Sequence, residues 1–306
     1  MDSFTTSFDA VSRRAALGGA AGFAALSATA VAFAAEGSRD PATPEERLTS
    51  FMRATGDISG AQSVNWATGS VYAWVPGIGG TPVFNFNLFG VQRLQKTDAG
   101  WLRLGREAGV YTDLATGAPL STWRNPFTER DVEVVHLNNN PSNVEFKTAD
   151  AAATPEVWLL GDTACFIRDI FVTRPADMTV DDYPLYAQSN IYKFTELYHY
   201  FASRAELAKA DKPSVAMVGS NTRVGNWFPW MQMGQRRGWL ISQVHSKKLK
   251  SVKDLPKDVV DYWTKTDPGV FEAPTKVVGP NESSWSHFKK RIDAKRAAGG
   301  KAASGT

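Results

Sequence analysis

The chain has 306 residues, a single cysteine and a formal net charge of +3 at pH 7. One cysteine excludes an intramolecular disulfide, and a net charge this close to zero gives no support to a nucleic-acid-binding role. The positive charge is concentrated at the C-terminal end, where residues 289–306 hold six basic side chains and one acidic side chain. We therefore predict no nucleic-acid partner, and a basic, disordered tail over residues 289–306.

Residues 1–35 have the pattern of a twin-arginine export signal. Arg13 and Arg14 precede an uncharged run rich in alanine and glycine, and Ala32-Phe33-Ala34 is a small-x-small cleavage site. The alternative is a membrane anchor, since about 20 residues can span a bilayer, but the run is too weakly apolar for a stable anchor. The pattern predicts a periplasmic protein that the twin-arginine translocase exports in the folded state, with cleavage near Ala35.

Residues 36–288 are predicted to form one β-rich domain. A helix at 45–54 precedes strand-like runs at close spacing, which turn signals such as Pro76-Gly77 separate, and a further helix is predicted at 255–263. No helical pattern of crossover length separates the strands, so parallel units are not expected. We predict a mainly β fold: an antiparallel barrel-like or strongly curled sheet of the calycin or lipocalin kind, with a few covering helices. The predicted strands are 71–75, 83–94, 101–105, 110–112, 132–137, 144–146, 157–160, 165–172, 191–201, 215–218 and 239–245.

Polar side chains are unusually dense for strands within residues 109–141. Trp123, Arg124 and Asn125 are consecutive, and His136 and Asn138 follow at the end of a strand-like run. Because strand side chains alternate, His136 shares a face with two valines and is predicted to point inward. This segment is therefore the first candidate for one wall of a site.

The predicted strand at 191–201 has two distinct faces. One face presents Tyr192, Phe194, Glu196, Tyr198 and Tyr200. If these side chains line a barrel interior, Glu196 is either a general base with a raised pKa or the structural partner of a nearby arginine. The sequence leaves both readings open.

A second dense cluster of aromatic residues follows Arg223. Trp227 and Trp230 stand with a phenylalanine, a proline and two methionines in a segment that a regular strand does not accommodate. Such a segment either folds over a flat apolar ligand or plugs the core between sheets. Further along, His245 ends a predicted strand and is a second histidine able to move a proton near neutral pH.

Several chemistries have no sequence support. The chain has no G-x-S-x-G elbow, no dinucleotide fingerprint, no phosphate loop, and no H-E-x-x-H, H-x-H or paired-cysteine motif. The four histidines, at 136, 199, 245 and 287, have no ligand spacing, although two of them with a carboxylate would suit a metal in space. No metal and no cofactor are predicted, and Cys165 is expected to be a buried, inert thiol.

A family resemblance rests on two motifs. The run Trp123-Arg-Asn-Pro-Phe-Thr128 and the run Val134-Val-His-Leu-Asn-Asn139, behind a twin-arginine signal, resemble a bacterial family defined by a domain of unknown function. The likeness covers residues 45–285 and implies domain boundaries and export rather than an activity. The alanine-rich leader is also similar to those of sphingomonads, bacteria that degrade lignin-derived aromatic compounds.

Taken together, these residues predict an exported, cofactor-independent lyase that acts on an aromatic small molecule. His136, Glu196, Arg124 and His245 are the predicted catalytic residues. The predicted substrate-binding residues are Trp123, Asn125, Asn138, Tyr192, Tyr198, Tyr200, Arg223, Trp227 and Trp230. The specific hypothesis is acid/base release of formaldehyde from a lignin-derived phenolic dimer. The alternatives are a periplasmic carrier of an aromatic or lipid-like ligand and a metal-dependent hydrolase.

Overall fold

The computed structural model describes residues 37–150 and 154–303, and the predicted export signal lies outside them. The strands are β1 Ser38–Arg39, β2 Ser63–Val75, β3 Gly79–Thr97, β4 Gly100–Thr112, β5 Thr122–Asn125, β6 Arg130–Glu133, β7 Asn138–Lys147, β8 Glu156–Leu160, β9 Thr163–Pro175, β10 Ile191–Ser203, β11 Val218–Gly225 and β12 Trp239–Leu249. The α-helices are α1 Pro44–Thr55, α2 Arg204–Leu207, α3 Lys257–Thr266 and α4 Ser284–Ala303, and short 3₁₀ helices span Pro229–Met231, Val252–Asp254 and Pro268–Phe271.

Ten of the strands form one sheet, in the order β1-β8-β9-β10-β11-β12-β2-β3-β4-β7, and β5 pairs with β6 in a separate hairpin. Every neighbouring pair is antiparallel. The sheet curls into a half-barrel, with β1 and β7 as its edge strands among the described residues. The predicted mainly β fold, a strongly curled antiparallel sheet with a few helices, is confirmed.

The strand boundaries differ from the predicted ones where glycine or polar residues interrupt the hydrophobic pattern. The predicted strands at 101–105 and 110–112 are one strand, β4, because its glycines allow a neighbouring backbone to approach closely. A Cβ atom at Gly109 would lie 2.6 Å from the carbonyl oxygen of Asn87. The strand predicted at 215–218 begins instead at Val218 and runs through the polar segment to Gly225.

The helices close the ends and one face of the sheet. Thr43 and Glu46 form a capping box that starts α1, and Phe51 of α1 packs on Phe146 of β7 and Tyr200 of β10. On the other side of the sheet, α3 packs its buried residues against β2, β3 and β4. The last helix, α4, spans Ser284–Ala303 and so continues past residue 289, where the basic tail was predicted to begin.

The N-terminal end of α4 connects two distant strands. Ser284 donates its backbone N–H to the side chain of Asn139 on β7, with an N···O distance of 2.8 Å. The next residue, Trp285, packs on Tyr192 of β10 and lies under the guanidinium of Arg223 on β11. This segment therefore bridges the open side of the curled sheet and encloses the space inside it.

Candidate functional site

The inner face of the curled sheet encloses a cavity of about 610 Å³. Its wall consists of alternate side chains from β2, β3, β4, β7, β9, β10, β11 and β12, together with α1 and the start of α4. We call these the inward positions. A cavity of this size, lined by aromatic and aliphatic side chains together with polar and charged ones, has the dimensions of a site for a small organic molecule.

Strand β10 supplies the polar centre of the cavity. Its inward positions are Tyr192, Phe194, Glu196, Tyr198 and Tyr200, the face that the sequence had indicated. Because β11 pairs with β10 in antiparallel register, Arg223 lies directly opposite Glu196. Side chains at directly opposite positions have Cβ atoms about 5 Å apart, so the register alone brings this carboxylate and guanidinium together.

Four of these side chains form a continuous polar chain inside the cavity. Tyr198 donates its hydroxyl to Oε2 of Glu196 at 2.9 Å, and Nε of Arg223 lies 3.2 Å from Oε1 of the same carboxylate. Arg223 also donates Nη2–H to the hydroxyl of Tyr192 at 3.1 Å. The Glu196 and Arg223 side chains are only 19% and 14% exposed, so the ion pair is largely removed from solvent.

The electrostatics of this chain keep its phenols protonated. Burial raises the pKa of Tyr198 well above its ordinary value, and the neighbouring charge of Glu196 raises it further. Burial also raises the pKa of Tyr192 and of Tyr200. Burial alone would lower the pKa of Arg223, but Tyr192 and Glu196 outweigh it and the pKa is raised. At neutral pH the chain thus consists of proton donors arranged around one carboxylate.

Arg103 and Arg168 are two of the inward arginines that were not identified from the sequence. Arg103 of β4 lies 3.5 Å from Glu107, which itself accepts a hydrogen bond from Asn139 at 3.1 Å. Arg168 of β9 is the register partner of Tyr198, and its guanidinium lies 5.1 Å from the ring centroid of Phe146 across the cavity. The alternation of side chains along β9 could have identified Arg168, since positions 168, 170, 172 and 174 face inward. Arg168 is followed by an aspartate, however, so both faces of the strand carry a charge there and the sequence does not show which face is the inner one.

His136 and Asn125 belong to the protein core rather than to the cavity wall, to which their segment contributes Tyr111, Leu137 and Asn139. His136 is buried, and its Nδ1 accepts the backbone N–H of Tyr111 at 3.1 Å. Burial lowers the pKa of His136 to about 4. Asn125 is also fully buried: its Oδ1 accepts the backbone N–H of Phe127 at 2.9 Å, and its Nδ2 donates to the carbonyl of Met231 at 2.7 Å. Both side chains satisfy backbone groups.

The tryptophans predicted to bind substrate also pack in this core. Trp123 and Trp230 make an edge-to-face contact at 5.9 Å, and the indole N–H of Trp227 donates to the carbonyl of Arg236. The segment around the 3₁₀ helix Pro229–Met231 is thus a core plug, the second of the two readings that its composition allowed. Asn138 donates its backbone N–H to Ser284 and is not among the residues that line the cavity.

The remaining predicted catalytic residues lie on the outer surface. Arg124 is on the β5–β6 hairpin, where its 61% exposed side chain lies 3.6 Å from Asp131. His245 is exposed because the inward positions of β12 are the even-numbered ones, Ser242, Val244 and Ser246. The cavity thus brings together Glu196, Arg223 and the three tyrosines of β10. It does not bring His136, Arg124 or His245 to them.

Two further findings bear on the alternatives. Within residues 37–150 and 154–303 there is no group of three or more histidine, cysteine, aspartate or glutamate side chains placed to hold a metal ion. In the same ranges no helix is long and apolar enough to cross a membrane.

Comparisons with known proteins identify a family for this chain. No curated protein matches the chain. A family model described as a protein of unknown function (DUF1838) matches residues 60–292, a region that contains both motifs of the resemblance and all strands from β2 to β12. Since the match covers well over half of the chain, the protein belongs to the DUF1838 family.

Proposed function

We propose that the protein is a cofactor-independent lyase that acts on an aromatic small molecule inside the cavity. The observation that carries the proposal is the polar chain Tyr198, Glu196, Arg223 and Tyr192, which couples one largely buried carboxylate to a cation and two phenols in the cavity. Titratable groups grouped in a cavity in this way are typical of acid/base sites. The surrounding aromatic side chains suit a ring-bearing substrate better than a sugar.

Glu196 is the base in this proposal. Each oxygen of a carboxylate has two acceptor positions, so Glu196 retains capacity beyond its contacts with Tyr198 and Arg223. Arg223 is the electrostatic partner, since its Nη1 is buried and has no partner among the described residues. A guanidinium with a free N–H is suited to stabilise an oxyanion that forms during the reaction.

The reaction we propose is the release of formaldehyde from a phenolic dimer that carries a hydroxymethyl group. Glu196 takes the hydroxyl proton, the carbon–oxygen double bond of formaldehyde forms, and the bond between the hydroxymethyl carbon and the dimer breaks. The electron pair of that bond forms the stilbene double bond, and the aryl oxygen on the adjacent carbon leaves as a phenolate held by Arg223. The proton on Glu196 then passes to the phenolate, so the enzyme returns to its initial state without an oxidant or reductant.

The test is incubation of the purified protein with a panel of phenylcoumaran dimers, in which the carbon adjacent to the one bearing the hydroxymethyl group carries an aryl ether oxygen. Formaldehyde and stilbene absorbance are expected to appear in equal amounts with at least one dimer, and Glu196→Gln is expected to abolish both. If neither product appears with any dimer, the lyase proposal is wrong.

The second candidate is a carrier of an aromatic ligand. Both oxygens of Glu196 already have partners in the unliganded protein, and such a satisfied pair also fits a wall that only binds. Titration of the wild type and Glu196→Gln with a stilbene, followed by tryptophan fluorescence, separates the two. If the protein is an enzyme, Glu196→Gln still binds the stilbene but no longer converts the dimers. If it is a carrier, Glu196→Gln still binds the stilbene, and neither the wild type nor the variant converts the dimers.

We also propose that residues 1–35 direct export to the periplasm by the twin-arginine translocase. The support is the Arg13-Arg14 pair ahead of the uncharged run. In a bacterial host, the wild type is expected in the periplasmic fraction and the Arg13→Lys/Arg14→Lys variant in the cytoplasm. Equal distribution of the two proteins would contradict export by this route.

A further inference from the structure

The inward arginines of the cavity are not equally neutralised. Five arginines of β4, β9 and β11 contribute to the lining of the cavity: Arg103, Arg106, Arg168, Arg174 and Arg223. Three have a carboxylate partner, since Arg103 pairs with Glu107, Arg174 with Asp177, and Arg223 with Glu196. Neither Arg106 nor Arg168 has a hydrogen bond or ion pair within the described part of the chain, and the Nε of each is buried without a partner. The guanidinium of Arg106 lies near Gly269, whereas Arg168 is the register partner of Tyr198 in the polar chain.

The surroundings of Arg168 are unfavourable for an isolated cation. Its guanidinium lies over the ring of Phe146, at 5.1 Å, rather than in solvent. Burial has the largest effect and lowers the pKa of Arg168, and the positive charge of Arg103 lowers it as well, whereas Tyr200, Tyr198 and Glu196 raise it. Arginine remains protonated even so, so the cavity wall holds a positive charge that has no hydrogen bond or ion pair among the described residues. Buried charges are normally paired, and a charge that is not paired within the protein is a candidate partner for a ligand.

Neighbouring donors converge on the same region. Arg103 contributes a second guanidinium, whose Nε is also buried without a partner and whose contact with Glu107 is long, at 3.5 Å. The hydroxyl of Tyr200 lies within electrostatic reach of Arg168 and Arg103, and also of the carboxylates of Glu196 and Glu107. Two guanidiniums and a protonated phenol provide several N–H and O–H donors and no acceptor charge of their own, a set that suits a planar oxyanion.

We propose that Arg168, with Arg103, forms a second subsite in the cavity that binds the carboxylate of an aromatic acid. The inference rests on the proposed function, because it assumes that Glu196 and Arg223 act on the other end of the same molecule. Arg168 of β9 is paired with Tyr198 of β10, and Arg223 of β11 is paired with Glu196 of β10. The Cα atoms of the two arginines are therefore separated by two strand spacings across the sheet and by two residues along it, a distance of roughly 12 Å. The substrate class is thus an aromatic molecule with a carboxylate at the end remote from the reacting group.

The test uses two probes of the same shape and different charge, stilbene-4-carboxylate and stilbene-4-carboxamide. The wild type is expected to bind the carboxylate at least tenfold more tightly than the amide in a calorimetric titration, because charge-assisted hydrogen bonds are the stronger kind. Arg168→Gln is expected to bind both probes within twofold of each other. Arg130→Gln, which removes one positive charge from the exposed β5–β6 hairpin, is the matched control and keeps the preference.

The melting temperature is a second measurement that separates ligand binding by Arg168 from a structural role, because the two roles predict opposite changes when the arginine is removed. Removing an unpaired buried charge relieves the free protein of its desolvation cost, so Arg168→Met is expected to melt at or above the temperature of the wild type. The carboxylate probe is expected to raise the melting temperature of the wild type and not that of Arg168→Met. A variant that melts well below the wild type would instead indicate a packing role on Phe146.

The subsite and the lyase can fail separately. The subsite is wrong if the wild type binds the two probes equally or binds neither, or if Arg168→Gln retains the preference for the carboxylate. These results hold whether or not formaldehyde is released. Conversely, a wild type that prefers the carboxylate but releases no formaldehyde keeps the subsite and discards the lyase.

Discussion

Two polar regions of this protein look alike in sequence and differ in what their polar atoms do. In the segment with Asn125 and His136, the side-chain nitrogen and oxygen atoms satisfy backbone groups of the core. In β10 and β11, Tyr198 and Arg223 each contact the carboxylate of Glu196, and all three side chains line the cavity. The first region uses polarity to fix the fold, and the second leaves donors available to a ligand.

The difference shows what density of polar residues can and cannot indicate. A buried polar group must be hydrogen-bonded, and an unusual loop has many backbone groups that need partners. A cluster of Asn, His and Trp therefore arises from structural need alone. Polar side chains at alternate positions of a regular strand have no such explanation, since the strand ladders already satisfy the backbone, and they are the better sign of a site.

The largest effect that separates the two regions is expected at Glu196. Glu196→Gln keeps the shape of the side chain and removes the base, so turnover of a productive substrate is expected to fall at least a hundredfold, within the range for loss of general base catalysis. Binding of the substrate is expected to change little. Single-turnover formaldehyde release and a parallel binding titration check this, and a loss of less than tenfold would mean that another group is the base.

His136 is expected to control stability at acidic pH. Its pKa is about 4 in the folded protein, against an ordinary value of 6.5, because burial disfavours the charged imidazole. Between pH 6.5 and pH 4 the unfolded chain binds a proton that the folded chain does not. The stabilisation is therefore complete above pH 6.5 and is lost as the pH falls towards 4, by about 3 kcal/mol in the free energy of unfolding.

Urea unfolding of the wild type and His136→Asn from pH 7 to pH 4 measures this contribution. Asparagine can accept the Tyr111 N–H in place of Nδ1 and does not titrate, so the curve of the variant is expected to be flatter over this range. Parallel curves for the two proteins would show that His136 is not protonated on unfolding in this range.

Asn125 is expected to affect stability and leave ligand recognition intact. Asn125→Ala leaves the N–H of Phe127 and the carbonyl of Met231 without their partner, which is expected to lower the free energy of unfolding by about 2 kcal/mol. The preference between carboxylate and amide probes is expected to stay as in the wild type. A changed preference with normal stability would return Asn125 to the binding site.

The fold was more predictable from sequence than the site. Strand β10 was identified with the correct inward face because aromatic side chains recur there at every second position. Strand β11 was missed because its inward positions carry Asn221 and Arg223 in place of apolar residues. Alternation of apolar and polar residues predicts a strand only where the inward side chains are apolar. A strand whose inward side chains are polar, because they line a polar cavity, lacks this alternation.

Two further parts of the site have no local signal at all. Trp285 reaches Tyr192 and Arg223 from a helix that begins after the last strand, and no spacing in the sequence relates these positions. Arg168 can be assigned to a strand, but its lack of a partner depends on which carboxylates the other strands bring near it. Such properties follow from register and closure of the sheet, which only the three-dimensional arrangement provides.

The smallest effects are expected at Arg124 and His245, the two predicted catalytic residues on the outer surface. Arg124 lies 3.6 Å from Asp131 with both side chains more than half exposed, and exposed ion pairs contribute little. Arg124→Ala and His245→Ala are each expected to change the free energy of unfolding by about 0.5 kcal/mol or less. If the cavity holds the reactive centre, turnover and probe binding in these variants match the wild type, whereas a tenfold loss at either position would place part of the site on the outer surface.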